Sequence, residues 1–243
     1  RYRSDTCEVE GYAAFPLEGD GPWPGLIFNR GGNREFGTLR TVVLCRYASK
    51  GFAVFGSQYR GNCGGTGREE FGGRDVYDVL HLMDLALGLP CVKKPQMYML
   101  GHSRGGMMTY RACALDKRIR AAAIGAGLAD AFIMYDRFHD GEYDMHQDCV
   151  ELIGGTPEEL PEEYKKRSAV YWADKILPPV LICQGTADWR VVPEQAYKMD
   201  RALTAAGKEH KLIVYEGADH SLQGTSYVKD VLDWFAAHPL PEE

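Results

Sequence analysis

Three residues of the types needed for covalent acyl transfer occur in this sequence in a usable order. Ser103 is the centre of Gly-His-Ser-Arg-Gly at positions 101–105, a Gly-x-Ser-x-Gly pattern whose glycines permit a tight turn that exposes the hydroxyl. A serine needs a base within hydrogen-bond reach, and that base needs a third group to orient it. Asp188 and His220 follow further along the chain, so the order is nucleophile, acid, base.

Each of these residues comes just after a stretch that is predicted to be a buried strand. Apolar runs at 97–100, 180–183 and 212–215 precede Ser103, Asp188 and His220, respectively. Since the carboxyl ends of parallel strands meet at one edge of a sheet, the three side chains are expected to converge there. The sequence therefore predicts Ser103 as nucleophile, His220 as general base and Asp188 as the residue that orients the histidine.

Two neighbours of these residues compete for the same roles. Asp219 could act as the acid, but it adjoins His220 in the sequence and can hardly orient its ring from the required side. His102 could act as the base, but it adjoins Ser103 and is expected to pack below the turn.

Acyl transfer also requires N–H donors for the developing oxyanion. One is predicted to be the backbone N–H of Arg104, which begins the helix after the serine, where the helix dipole favours negative charge. The second is predicted in the loop Arg30-Gly31-Gly32, which follows the apolar run at 26–28. A simple glycine turn is the alternative interpretation of that loop.

Short apolar runs alternate with longer amphipathic segments, which is typical of strands joined by crossover helices. The predicted strands are 7–15, 25–29, 52–58, 96–100, 121–125, 179–184 and 211–216, and the predicted helices are 38–49, 75–87, 104–115, 193–206 and 226–237. Most strands are continuous apolar runs, as in a parallel sheet covered on both faces. The pattern predicts one α/β domain over residues 1–243, with a mostly parallel central sheet and helices on both sides.

The segment 128–177 interrupts this alternation and is predicted to be a small helical insertion above the sheet. It contains two adjacent glycines, an acidic run and several aromatic residues, among them Phe132, Tyr135, Phe138, Tyr143, Tyr171 and Trp172. A lid over a pocket and plain surface elaboration are both consistent with this composition.

Composition and charge exclude several classes of function. Hydrophobic residues make up 45% and charged residues 26% of the 243 positions, and the formal net charge is -6. No basic stripe suggests nucleic-acid binding, and no apolar stretch is long enough to span a bilayer. The seven cysteines form no C-x-x-C pair that would suggest a zinc or redox site. We expect a cytoplasmic protein without a metal or an organic cofactor; a targeting segment removed earlier would leave no trace.

With these residues assembled, the chain resembles the catalytic domain of the prolyl oligopeptidase family of serine peptidases and its small esterase-like relatives. The resemblance covers nearly the whole chain and is carried by the following motifs: Gly-Gly at 31–32, Tyr-Arg-Gly-Asn-Cys-Gly-Gly-Thr-Gly at 59–67, Gly-Gly-Arg-Asp-Val-Tyr-Asp-Val at 72–79, Gly-His-Ser-Arg-Gly-Gly at 101–106, Asp-Trp-Arg-Val-Val-Pro at 188–193 and Asp-His at 219–220. The resemblance implies the α/β-hydrolase fold.

The resemblance also implies roles for residues outside the triad. It implies that Arg60 and Asp75 are structural and tie the loop after the fourth strand to the following helix. It implies that Arg190 binds a substrate carbonyl, with a structural salt bridge as the alternative. Two features depart from the family: 243 residues leave no room for a β-propeller, and Arg30 stands where some members have a tyrosine oxyanion donor.

We therefore expect a serine hydrolase that acts through an acyl-enzyme on a small-molecule or short-peptide substrate. A peptidase that cleaves short peptides or aminoacyl amides is the first interpretation, and a carboxylesterase that cleaves small acyl or aromatic esters is the second. An inactive ligand-binding module with the same fold is the alternative from another class.

Overall fold

The computed structural model describes residues 1–137 and 145–241 of the chain. The strands are β1 (Tyr2–Ser4), β2 (Cys7–Val9), β3 (Gly11–Ala14), β4 (Gly25–Asn29), β5 (Ala53–Ser57), β6 (Met97–His102), β7 (Ile119–Gly125), β8 (Val180–Gly185) and β9 (His210–Tyr215). The helices are α1 (Thr41–Ala48), α2 (Val76–Gly88), α3 (Arg104–Leu115), α4 (Ala131–Arg137), α5 (Met145–Ile153), α6 (Pro161–Arg167), α7 (Pro193–Ala205) and α8 (Tyr227–Ala237). Two short 3-10 helices, Ala169–Tyr171 and Ala173–Lys175, precede β8.

Seven of these strands form one sheet in the order β3-β5-β4-β6-β7-β8-β9. The edge strand β3 is antiparallel to β5, and every other pairing in this sheet is parallel. Parallel neighbours require crossover connections, which the helices between them supply. The predicted fold class, a mostly parallel sheet with helices in an α/β-hydrolase arrangement, is confirmed.

Side chains of the central strands alternate between two apolar clusters, one on each face of the sheet. On β6, for example, Met97 and Met99 belong to one cluster, and Tyr98 and Leu100 belong to the other. The first cluster includes buried residues of α2, α3 and α7, and the second includes buried residues of α1 and α8. Because both faces of these strands are covered, their sequences are continuous apolar runs.

The helices α4, α5 and α6 lie within the predicted insertion and bury a third apolar cluster. Met134, Cys149 and Tyr164, one from each helix, pack there with Phe71 and Val191 from outside the insertion. The insertion is thus joined to the rest of the molecule by apolar contacts. Its role as a lid stays a prediction, and two of its aromatic residues, Phe138 and Tyr143, lie outside the described residues.

The single strand predicted at 7–15 is wrong, because this segment divides between two sheets. Asp5 adopts a positive φ of 52°, and the turn there pairs β1 with β2 as a separate antiparallel hairpin. Only β3 joins the main sheet. The hairpin packs against the main sheet and α2, where the Tyr2 hydroxyl lies 2.7 Å from Ser57 Oγ and donates to the Asp78 carbonyl at 2.8 Å.

Arg60 joins the loop after β5 to α2 through a different carboxylate from the one that the resemblance paired with it. Its guanidinium donates to Asp78 Oδ1 at 2.7 Å and to Asp5 Oδ2 at 3.0 Å. Asp75 instead forms a buried ion pair with Arg104. Asp78 therefore joins the loop after β5 to α2, whereas Asp75, at the N-terminus of α2, binds the first residue of α3.

Candidate active site

Ser103 lies on the sharp turn between β6 and α3, in a strained backbone conformation with φ 58° and ψ −126°. Positive φ is uncommon for a residue with a side chain and is maintained here by the surrounding contacts. The Ser103 N–H donates to the Gly125 carbonyl at 3.0 Å, and the Leu128 N–H donates to the Ser103 carbonyl at 3.1 Å. A Cβ at Gly105 would overlap the carbonyl of Asn29, so the turn requires glycine at that position.

The Asp188 carboxylate lies in the turn after β8 and is surrounded by donors. Its Oδ1 accepts hydrogen bonds from the backbone N–H groups of Arg190 at 2.9 Å and Val191 at 3.0 Å. Its Oδ2 accepts from the Gln184 amide at 3.2 Å and lies 2.9 Å from Nδ1 of His220. Because a carboxylate accepts hydrogen bonds, this contact favours the histidine tautomer with its proton on Nδ1 and a free lone pair on Nε2.

The imidazole of His102 lies against that of His220, with ring centroids 5.0 Å apart. We expected His102 to pack below the turn, but it follows Leu100 by two positions on β6, points toward the α1 and α8 face, and lines the same cavity as His220. Burial, together with the nearby His220, lowers the pKa of His102 to about 4. An imidazole with so low a pKa is a weak base at neutral pH, which makes His102 a poor candidate for a second base.

Backbone from two segments borders Ser103 where oxyanion donors are expected. Arg104 is the first residue of α3, and a Cβ at Gly31 would lie only 2.9 Å from the Cβ of Ser103. The buried guanidinium of Arg30 supports this loop by donating to the carbonyls of Gly31, Arg34, Phe36, Gly37 and Gln58. The oxyanion donors at Arg104 and Arg30–Gly32 therefore stay predictions for backbone N–H groups, while the Arg30 side chain maintains the loop.

The side chain of Arg104 is buried below the elbow and links it to neighbouring segments. It donates to the Gly32 carbonyl at 3.0 Å and forms ion pairs with Glu69 and Asp75. Its guanidinium also lies over the Tyr59 ring, 4.7 Å from the centroid. The residue after the serine thus connects the elbow, the Arg30–Gly32 loop and α2.

One cavity of about 580 Å³ brings Ser103, His220 and Arg190 together at the carboxyl edge of the sheet. Its apolar lining comes from two sides of the molecule. We call one side the α1 arm, which is lined by Phe28, Phe36, Leu39 and Val43. We call the other side the insertion arm, which is lined by Phe71, Leu128, Met134, Met145 and Val191.

Arg190 lines this cavity next to the loop that holds Asp188. Its guanidinium lies 5.2 Å from the ring centroid of Trp189, whose side chain is largely exposed. The predicted contact with a substrate carbonyl stays a prediction.

Asp219, the competing acid, is engaged elsewhere. Its Oδ1 accepts hydrogen bonds from the N–H of Ser221 at 2.9 Å and from the Ser221 hydroxyl at 2.6 Å. These hydrogen bonds lower the pKa of Asp219, and the charges of His220 and Arg190 contribute in the same direction. The carboxylate hydrogen-bonded to the His220 ring is that of Asp188.

Two features of the site were not identified from the sequence. The Gln184 amide binds both Asp188 Oδ2 and the Val191 carbonyl, at 3.2 and 3.0 Å, and a lone polar residue ending the apolar strand at 180–183 was a usable signal. Nothing in the sequence indicated that Leu39 and Val43 line the cavity, because apolar residues at these positions are ordinary in a helix and in the segment before it.

Metal-site and membrane patterns are absent from the part of the chain that the structure describes. Among residues 1–137 and 145–241, no three His, Cys, Asp or Glu side chains cluster as metal ligands would. None of the helices in these ranges combines the length and apolar character needed to cross a bilayer.

Comparison with known proteins identifies the family. The model of the prolyl oligopeptidase family, Peptidase_S9, matches residues 38–239. The chain belongs to the prolyl oligopeptidase family. It is 32% identical to the uncharacterized peptidase YtmA of Bacillus subtilis over 220 residues, which cover 90% of this chain and 84% of that protein. Membership makes this chain a serine-peptidase-like hydrolase.

Solved structures show the same fold within longer proteins. The Pyrococcus horikoshii acylaminoacyl peptidase matches with a TM-score of 0.83 and 21% identity, covering 100% of this chain and 42% of that one. A puromycin-hydrolyzing peptidase from Mycobacterium tuberculosis matches with a TM-score of 0.73 and 25% identity, covering 87% of this chain and 34% of that one. The present chain therefore spans well under half the length of these two proteins.

Proposed function

We propose that this protein cleaves amide bonds of short peptides or aminoacyl amides through an acyl-enzyme on Ser103. The observation that carries the proposal is the hydrogen bond between His220 Nδ1 and the buried Asp188 carboxylate, beside a cavity that His220 shares with Ser103. That contact orients the ring with Nε2 available to accept a proton.

In the proposed reaction, Ser103 Oγ attacks the substrate carbonyl carbon while His220 Nε2 takes the hydroxyl proton. Backbone N–H groups of Arg104 and the Arg30–Gly32 loop stabilise the oxyanion. His220 then gives the proton to the leaving nitrogen, the C–N bond breaks, and the acyl group stays on Ser103. Water repeats the sequence and releases the acid, while Asp188 stabilises the imidazolium in both halves.

The insertion arm and Arg190 support an aminoacyl substrate. Apolar side chains such as Met134, Leu128 and Val191 line the arm, so it suits an apolar acyl residue, and methionine adapts to varied shapes. Arg190 can donate to a carbonyl beyond the scissile bond. The name of the puromycin-hydrolyzing relative points to the same chemistry, because puromycin contains an aminoacyl amide bond.

A carboxylesterase is the second candidate, and the apolar lining of the cavity favours it. Its acyl-enzyme chemistry would use the same three residues, but its substrate would lack the further carbonyl that Arg190 is proposed to bind. Rates on the two substrate types therefore separate the candidates.

The test is hydrolysis of leucyl and phenylalanyl anilides and of 4-nitrophenyl acetate by the wild type and by Ser103→Ala. We expect hydrolysis of both classes, with kcat/KM on the anilides raised by an acyl or peptidyl group before the cleaved residue. Ser103→Ala should lower kcat by roughly 10⁶-fold with the fold preserved. Turnover by Ser103→Ala above a tenth of the wild-type rate would contradict the proposal; ester hydrolysis without anilide hydrolysis would favour the carboxylesterase.

A further inference from the structure

The α1 arm of the cavity has no role in the function proposed so far. Two of its four residues, Phe28 and Leu39, are almost fully buried, while Val43 and Phe36 are more exposed to solvent. These four residues bring apolar surface to the edge of the cavity that contains Ser103. Such surface can bind an apolar group of a substrate.

Side-chain alternation fixes which side of Ser103 this arm occupies. Phe28 on β4 and Leu100 on β6 belong to the cluster on the α1 and α8 face. His102 follows Leu100 by two positions and so points toward that face. Because the His220 ring packs against His102 at 5.0 Å between centroids, the proposed base stands on the α1 side of the cavity.

The insertion arm lies on the other side. Its residues Phe71, Leu128, Met134 and Val191 belong to the cluster of the insertion helices. None of these four belongs to the cluster that contains Phe28. The cavity therefore extends across the edge of the sheet, with the base on one side.

The position of the base determines which part of a substrate each arm receives. His220 must give its proton to the leaving-group atom, so that atom lies within hydrogen-bond reach of Nε2. The acyl portion extends away from the base. We infer, on the basis of the proposed function, that the α1 arm is an apolar leaving-group site, which selects substrates whose amine or alcohol carries an aliphatic or aromatic side chain.

Buried hydrogen bonds hold the wall of this arm in place. The amide of Gln58 accepts from the Leu39 N–H at 2.9 Å and donates to the Leu39 carbonyl at 3.3 Å. Arg30 donates to the Gln58 carbonyl at 2.8 Å and to the carbonyls of Phe36 and Gly37. Since both polar groups of Leu39 are satisfied below the surface, its side chain is fixed as part of a preformed wall.

Acyl transfer to added amines tests the leaving-group site alone. In this step the amine nitrogen bonds to the acyl carbon, the bond from that carbon to Ser103 Oγ breaks, and the amine proton passes through His220 to Oγ. This step is the reverse of acylation by an amide substrate, so the added amine binds in the same site that the leaving amine occupies in the forward reaction. Because the acyl-enzyme is the same for every amine, the ratio of amide to acid formed measures binding at that site.

The experiment starts from 4-nitrophenyl acetate and compares glycinamide with leucinamide as acceptors. We expect leucinamide to capture the acyl group roughly tenfold more effectively than glycinamide, from partial burial of its side chain. Val43→Asp adds a charge to the arm, and Val43→Phe fills it. Both variants should reduce the preference for leucinamide over glycinamide to near one. Val42 is the matched control, because it is the preceding residue of α1, is 63% exposed and does not line the cavity; Val42→Asp and Val42→Phe should keep the wild-type ratio.

Equal capture of the two amines by the wild type would overturn the inference, as would an equal change in the Val42 and Val43 variants. Nitrophenol release that survives Ser103→Ala would instead contradict the proposed function, and the inference with it. Release that depends on Ser103, without selectivity for leucinamide, would overturn the inference alone.

Discussion

The two arms of the cavity are held together by different forces. The α1 arm rests on buried and partly buried hydrogen bonds between the side chains of Arg30 and Gln58 and the backbone of residues 31–39. The insertion arm rests on apolar packing among α4, α5 and α6, with Phe71 and Val191. Directional bonds fix one geometry, whereas apolar contacts with methionines tolerate substitution and repacking. The molecule thus combines a rigid wall beside the predicted oxyanion loop with an adaptable wall that suits varied acyl groups.

Removal of the Arg30 hydrogen bonds should have the largest effect. Arg30→Met removes the donor to the buried Gln58 carbonyl and to four partly buried carbonyls of the loop, so we expect a loss of roughly 3 kcal/mol in the free energy of unfolding. The loop that borders Ser103 would shift, and kcat should fall about 10²- to 10³-fold on anilides and acetyl esters alike, as for loss of an oxyanion donor. Urea unfolding and steady-state rates at low temperature measure both quantities.

Met134→Ala is the matched control on the insertion arm. It should cost a similar amount of stability, about 2 kcal/mol or more, but alter the preference among acyl residues and leave acetyl ester hydrolysis within a few-fold of wild type. If Arg30→Met kept its kcat while Met134→Ala lost it on every substrate, the contrast between the two arms would be reversed.

Loss of the Arg190 side chain should affect peptidyl anilides more than simple acetyl esters. It lies beside Val191 of the insertion arm and contacts the ring of Trp189. Arg190→Ala should lower kcat/KM on peptidyl anilides roughly ten- to hundred-fold, equivalent to one hydrogen bond from a charged group, at about 1.5 to 3 kcal/mol. Hydrolysis of 4-nitrophenyl acetate, which lacks the second carbonyl, should barely change. Equal losses on both substrates would mean that Arg190 supports the loop of Asp188.

The smallest expected effect at neutral pH is that of His102, on the α1 side, which makes stability depend on pH only under acid conditions. Burial lowers the pKa of this imidazole from 6.5 to about 4, so the unfolded chain binds a proton at higher pH than the folded chain. Stability should therefore fall as the pH drops through this window, by about 2 kcal/mol between about pH 7 and pH 5. Urea unfolding of the wild type and of His102→Gln measures it, and the variant should lack this part of the decline. Identical pH dependence in both proteins would contradict the lowered pKa of His102.

The sequence predicted the residues whose positions follow from local patterns. Ser103, Asp188 and His220 could be proposed as one site because each follows an apolar strand, and their catalytic roles stay a prediction. The hairpin before β3 was missed because β2 and β3 are separated by a single residue and therefore look like one strand. They differ only in their partners, since β2 pairs with β1 and β3 pairs with β5. The α1 arm was missed because Leu39 is fixed by Gln58, 19 residues away, a contact that no local pattern reveals.

The most direct test of the central claim is to identify the residue that a fluorophosphonate probe modifies. The folded protein is treated with the probe and digested, and the adduct is located by mass spectrometry. The account predicts one adduct, on the peptide that contains Ser103, and its absence from Ser103→Ala. It also predicts that His220→Ala slows labelling by several orders of magnitude, because the hydroxyl then lacks its base. An adduct on another cavity residue, such as Ser221, or undiminished labelling of Ser103→Ala, would contradict Ser103 as the nucleophile.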